Sequence, residues 1–296
     1  MKAFVFGMFA ALLVCCAAVA DEPVGPYLQS ISVNVSAGGA QGSGTIVLVE
    51  VEGNRTTWIL TAYHVISGLR EVQTVIAPGG EEKKQIRYRD ATIVQEQVEG
   101  GRAVGEYKFD AKVVNADPRR DIALLRVRKD EFTSAGARFY LDDEIPVPGT
   151  ELLHCGAPGG KELGGTCSLT SGIVSRLGVR IPDFGGSSEH GIFDQTSCPS
   201  FGGSSGGMVA LKEDGRWVGM ITLGIRGADS FCWVVPVRSV RAWAEEAGVL
   251  WLVDPAVKRP TQDDLEKIPL ELNPPGFVRA SGSGPTPVVE RQVHEP

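Results

Sequence analysis

Short runs of apolar and β-branched residues, each closed by a turn residue, constrain this chain more than any other feature. Segments 44–51, 57–61, 111–115, 122–126, 151–155, 171–175, 207–211 and 216–223 are rich in Val and Ile and bounded by Gly, Pro, Asp or Asn. Runs of this length and spacing read as the strands of a sandwich or barrel. Gly fills 37 of 296 positions, which suits many tight turns and argues against a mainly helical protein. One helical pattern interrupts the strands. Val240, Trp243, Ala244 and Ala247 follow Pro236 and Val237 at i, i+3, i+4, i+7 spacing, and Gly248 stops them. Segment 79–106 differs again. It is densely charged, with Glu81, Glu82, Lys83, Lys84, Arg87 and Arg89, and reads as a hairpin or loop excursion on the surface.

The two ends stand apart from this pattern. Lys2, the apolar run 3–19 and Ala18-Val19-Ala20 make residues 1–20 read as a secretory signal peptide. The run is at the short limit for a membrane anchor, which is the alternative. No later stretch has 18 apolar residues, so no stable membrane insertion is expected after signal cleavage. Residues 254–296 are rich in Pro and small polar residues and read as a coreless, flexible tail. The expected folded domain is therefore 21–253. A net charge of −7 argues against a dedicated nucleic-acid binder, which needs clustered cations against phosphate.

Past the signal, Cys155, Cys167, Cys198 and Cys232 remain. An even count in an exported chain points to two disulfides, with three possible connectivities; four buried free thiols are the alternative. No C-x-x-C occurs, and no metal or other cofactor is expected.

Three motifs carry chemistry together that none carries alone. His64 ends the run Leu60-Thr61-Ala62-Tyr63-His64. Asp121 precedes Ile122-Ala123-Leu124-Leu125, after Asp117-Pro118-Arg119-Arg120. Ser205 lies in Gly202-Gly203-Ser204-Ser205-Gly206-Gly207. A serine hydroxyl is a weak nucleophile that needs a base within hydrogen-bond reach, and the base needs an orienting group. Histidine suits the first task because its unperturbed pKa is about 6.5. A buried carboxylate suits the second. Glycines beside the serine let backbone N–H groups converge on a developing oxyanion.

The order His, Asp, Ser and the motifs T-A-Y-H, D-I-A-L-L and G-x-S-G-G resemble chymotrypsin-fold serine proteases. They are most similar to the bacterial trypsin-like branch that includes the high-temperature-requirement (Deg) proteases. The resemblance covers about residues 40–247. It implies an all-β fold of two six-stranded antiparallel β-barrels with a C-terminal helix, and an exported (periplasmic or secreted) endopeptidase acting on protein or peptide substrates. It implies His64 as base and acid, Asp121 as its orienter and Ser205 as nucleophile, with Ser204 the competing serine. The amides of Gly203 and Ser205 become the oxyanion hole, and Pro199, Ser200, Thr222, Leu223 and Gly224 the substrate pocket. Resemblance also implies the disulfides Cys155–Cys167 and Cys198–Cys232.

The chain departs from the family in three places. Ser204 replaces the acid with which the digestive branch captures a new N-terminus, so maturation through such an ion pair is not expected. A Pro-rich stretch follows the protease region where the Deg branch usually carries PDZ modules. Pro199 stands where trypsin has its selective Asp, so cleavage after small or medium apolar residues is expected. Gly156–Glu162 lacks the first Gly and the final Ser or Thr of a P-loop. His154 reads as strand context and His190 as a solvated loop residue. A silent binding protein on this fold, or an esterase with the same triad, are the competing readings. The oligomeric state is not legible.

Overall fold

The computed structural model describes residues 23–76, 80–127, 133–160, 167–181, 191–225 and 227–268. The signal-like residues 1–20 and His190 lie outside them. A short helix, α1 (Val24–Ser30), leads into β1 (Ser32–Ala37), β2 (Ala40–Val51) and β3 (Asn54–Thr61). One helical turn, α2 (Tyr63–Ile66), follows, then a two-stranded ribbon of β4 (Arg70–Ile76) and β5 (Glu82–Tyr88). The chain returns as β6 (Ala91–Glu99), β7 (Arg102–Asp117) and β8 (Ile122–Val127). These strands close a first barrel in the order β1-β2-β3-β8-β7-β6. The second barrel holds β9 (Glu151–Gly156), β10 (Ser168–Arg180), β11 (Ile192–Thr196), β12 (Met208–Leu211), β13 (Trp217–Ile225) and β14 (Ala228–Pro236), in the order β10-β11-β14-β13-β12-β9. All strand pairs within the barrels are antiparallel. The expected all-β fold of two six-stranded barrels is the fold found.

The first barrel is filled by Val35, Ile46, Ile59, Ile93 and Leu125, all fully or almost fully buried. Each such side chain contributes about 1.5–3 kcal/mol by leaving water. The charged segment 79–106 is only partly a surface excursion. Its later half enters the barrel as β6, because Ala91 and Ile93 alternate inward while their polar neighbours face out. The helical pattern is found as α3 (Val237–Glu246), with Val240, Trp243 and Ala244 buried.

The ends of the described chain cross over. From the N-terminal side, Gln29 Nε2 donates to the Cys167 carbonyl beside the second barrel at 2.9 Å. From the C-terminal side, Trp251 meets Trp58 edge to face at 5.6 Å. Arg259 donates to the Glu50 carbonyl at 2.7 Å, and Arg126 to that of Leu265 at 3.0 Å. Here the structure differs from a coreless tail beginning at 254. Residues 254–268 run back to the first barrel and form α4 (Gln262–Lys267), capped by Thr261, with Leu265 fully buried. The remaining tail residues lie outside the described ones.

The disulfides are corrected. Cys155, Cys167, Cys198 and Cys232 are all free and buried, so neither Cys155–Cys167 nor Cys198–Cys232 is formed. The strand register gives a reason. Cys155 pairs with Leu169 and Cys232 with Thr196, which places the expected partners two residues off in each case. Cys167 and Cys198 lie just outside the paired stretches, so neither stands directly across from its expected partner. The thiols are also otherwise engaged. Cys167 Sγ donates to the Ser32 carbonyl at 3.8 Å, and Cys232 Sγ to that of Asp229 at 3.3 Å. Burial pushes Cys167 and Cys198 each up to about 11 and raises the other two as well. They stay protonated and unreactive at neutral pH.

Candidate active site

His64 lies on α2, where the chain turns out of β3. Val65 and Ile66 on the same turn are buried and anchor it, leaving the imidazole 45% exposed. Asp121 ends the turn between β7 and β8 and is almost wholly buried. That turn is shaped by its own sequence. Asp117 Oδ1 accepts the amides of Arg119 at 2.9 Å and Arg120 at 3.2 Å. Asp121 then takes a left-handed φ of 57°, which Asp tolerates better than most residues.

The two side chains meet closely. Asp121 Oδ1 accepts the His64 amide at 2.8 Å, and Oδ2 lies 2.8 Å from His64 Nδ1. Facing a buried carboxylate, Nδ1 carries the proton, and Nε2 is left as the base. Thr222, expected on the pocket wall, donates its hydroxyl to Asp121 Oδ2. The carboxylate is thus held from both barrels. Arg120 fixes the turn from outside, donating to Asp117 Oδ2 at 2.9 Å and to both carboxylate oxygens of Glu246 on α3, at 2.8 and 2.6 Å.

Ser205 lies in the segment between β11 and β12. Gly206, with φ 82°, presses against the first barrel so closely that a Cβ would overlap the Ser43 carbonyl and Thr61 Oγ and lie 2.9 Å from the Ala62 amide. This contact sets Ser205 beside the turn that bears His64. Among the described residues, the Ser205 hydroxyl makes no hydrogen bond, to His64 or otherwise; such bonds often tighten only when substrate binds.

The peptide groups of the loop are arranged unevenly. The carbonyls of Phe201, Gly202, Gly203, Ser204 and Ser205 all accept hydrogen bonds. The amides of Ser204, Gly206 and Gly207 donate. Those of Gly202, Gly203 and Ser205 donate to no protein acceptor among the described residues. Of these, the Gly203 and Ser205 N–H groups are the kind of backbone donor pair an oxyanion needs. Gly203 has φ 98°, and a Cβ there would overlap the Ala157 carbonyl. Ser204, the competing serine, is fully buried, and its Oγ accepts the Phe201 amide at 3.2 Å, so its hydroxyl is used within the loop.

Of the expected pocket residues, Ser200 and Gly224 come together with a residue the pocket assignment omitted. Gly224 pairs with Cys232, and a Cβ on Gly224 would lie 3.5 Å from Ser200 Oγ and 3.7 Å from Cys232 Sγ. Ser200 Oγ and Cys232 Sγ are 2.8 Å apart. Pro199 is half-buried, its carbonyl accepting from Thr170 at 3.0 Å. Leu223 is half-buried opposite Trp233. His154 lies beneath the loop, wholly buried, with Nδ1 donating to the Met208 carbonyl at 2.9 Å and Nε2 unpartnered. Burial pushes its pKa down to about 4. Among the described residues, no cluster of His, Cys, Asp and Glu is placed to hold a metal ion, and no helix is long and apolar enough to cross a membrane.

Two barrels with a His–Asp pair on one and a glycine-lined serine on the other define the chymotrypsin class of serine hydrolase folds. A trypsin-like peptidase domain model matches residues 42–220, and the chain belongs to that family. It is 28% identical over 222 residues to "Putative protease Do-like 14" of Arabidopsis thaliana, covering 73% of this chain and 44% of that protein. It is 36% identical over 133 residues to "Periplasmic serine endoprotease DegP" of Escherichia coli, covering 45% of this chain and 25% of that protein. The chain thus spans less than half the length of these curated relatives. Among solved structures, Deg5 superposes with a TM-score of 0.54 at 20% identity, covering 78% of this chain and 94% of that one. A serine endoprotease from Yersinia pestis gives 0.53 at 20%, covering 77% and 66%. At these identities the structural likeness speaks for the fold.

Proposed function

We propose that this chain is an exported serine endopeptidase that cleaves peptide bonds through an acyl-enzyme on Ser205. The observation that carries the reading is the His64–Asp121 pair, its Nδ1 held at 2.8 Å, together with a glycine-rich loop whose Gly203 and Ser205 amides are undonated. In this scheme His64 Nε2 takes the Ser205 proton as Oγ attacks the scissile carbonyl carbon. The carbonyl electron pair moves onto oxygen, which the amides of Gly203 and Ser205 receive. Collapse breaks the C–N bond, and His64 passes its proton to the leaving amine. Water then attacks the ester with the same help and frees Ser205. Asp121 keeps the imidazole in the useful tautomer and stabilises its charged form.

The small space where Gly224, Ser200 and Cys232 meet supports a preference for small or medium apolar residues before the cleaved bond. Export to the periplasm or beyond is supported by the signal-like residues 1–20 and by the periplasmic relatives. A fluorophosphonate probe is expected to label the protein and to miss Ser205→Ala, which loses at least about 10⁴-fold of the activity on casein. Equal labelling of both, or unchanged casein digestion by the variant, refutes the assignment. Ester turnover with intact casein moves the protein to the acyl-transfer esterases. A cleavage profile dominated by Lys and Arg reverses the pocket assignment.

A further inference from the structure

We infer that Ser43, a first-barrel residue, is the positioning residue of the oxyanion-binding loop, and that it does this task where Ser204 offers no ion pair. The inference rests on the reading of Ser205 and Gly203 given above.

Ser43 is fully buried on β2, and each of its polar groups is committed to the site. Its amide donates to the Ser205 carbonyl at 2.7 Å. Its carbonyl accepts from Thr61 Oγ at 2.7 Å, which ties it to the strand that leads to His64. Its hydroxyl donates to the Gly203 carbonyl at 2.7 Å and accepts the Ala157 amide at 2.8 Å. One first-barrel hydroxyl therefore joins two second-barrel segments.

Peptide planarity turns these bonds into control of an amide. In a trans peptide the C=O and N–H point in opposite directions. The Gly202 carbonyl is held by the Gly159 amide at 2.6 Å, so the Gly203 N–H is aimed the other way, free of the protein. Gly159 sits in the turn that Ala157 opens and Gly160 closes at 2.9 Å, and Ser43 Oγ holds that turn at Ala157. The same oxygen holds the next peptide by its Gly203 carbonyl, which sends the Ser204 amide back to the Phe201 carbonyl at 2.9 Å. Turning the 202–203 peptide over would bury its carbonyl in the oxyanion position. That motion has to break the Gly159 bond and strain both bonds to Ser43.

The test compares Ser43→Ala and Ser43→Cys with the parent on a peptide anilide carrying Ala before the scissile bond. The matching peptide boronate serves as a tetrahedral mimic, and fluorophosphonate titration counts folded sites. Per titrated site, Ser43→Ala is expected to lose about 10–100-fold in kcat and a similar factor in boronate affinity. KM and the acid limb of the pH profile stay within about twofold, since the loss falls on the transition state and not on His64. Ser43→Cys, with a weaker donor, falls between, and carries the test alone if the alanine variant does not fold. Retention of kcat and boronate affinity within twofold overturns the inference, as does a loss confined to KM. Full activity of Ser205→Ala on the same anilide instead overturns the reading of the site itself.

Discussion

The Asp121 turn and the Ser205 loop face each other across one cleft but are held by opposite means. The turn is built on charge. A buried carboxylate accepts from His64 twice and from Thr222, while Asp117, Arg120 and Glu246 brace it from outside. The loop is neutral. Its carbonyls are held by backbone amides and by one serine hydroxyl, and its shape depends on glycines that allow close approach. A base must be oriented by something that strengthens as it becomes charged, whereas an oxyanion needs dipoles already fixed before charge appears. On the proposed function, the difference in construction follows the difference in task.

Breaking the charged side has the largest expected effect. Asp121→Asn removes the acceptor that fixes the Nδ1 proton, and kcat on a peptide anilide is expected to fall by about 10⁴-fold; a drop under tenfold separates the turn from catalysis. On the neutral side, Gly203→Ala drives a Cβ into the Ala157 carbonyl at φ 98°. The expected loss is about 10²–10³-fold in kcat, and an alanine variant with normal turnover breaks the assignment of that amide.

The neutral loop has its own weakness to acid, through His154. The unfolded chain protonates this histidine near its ordinary value of 6.5, but the buried native imidazole holds out to about 4. Stability is therefore complete above pH 6.5 and is lost as pH falls towards 4, by on the order of 3 kcal/mol. Thermal melts between pH 7 and 4.5 are expected to show this slope in the parent and a flatter one in His154→Leu; equal slopes remove His154 as the cause. The smallest effect is expected at the outer brace. Glu246 is 57% exposed, so solvent screens its pair with Arg120. Arg120→Ala should cost about two- to fivefold in kcat, and added salt should narrow the gap between variant and parent. A gap unchanged by salt shows that the brace acts by packing alone.

What could be read beforehand followed the range of the interactions involved. His64, Asp121 and Ser205 each stand in a motif whose chemistry is local, and the barrels announce themselves through strands bounded by turns. β6 was obscured because the signal for a half-buried strand, Ala91 and Ile93 alternating with polar residues, lay inside a dense charged stretch. Ser43 has no signature of its own, since its hydroxyl partners lie 114 and 160 residues away. The resemblance implies a pocket place for Thr222, but the bond of its hydroxyl to Asp121 had no local signal, because it depends on where Asp121 arrives from the other barrel. Cysteine number and compartment pointed to bridges, yet pairing depends on register, and the register sets the thiols off by two.

The crossed ends of the chain carry a mechanical consequence. The N-terminal helix reaches the second barrel, and the C-terminal segment returns to the first through Trp251, Arg259 and Leu265. The barrels are laced together near both ends of the described chain, independently of the connection that joins them in sequence. A single engineered cut between residues 141 and 149 should therefore leave two fragments that stay associated. Trimming the chain back to residue 253 keeps Trp251 but removes the Arg259 and Leu265 contacts, and should lower the melting temperature of the uncut protein.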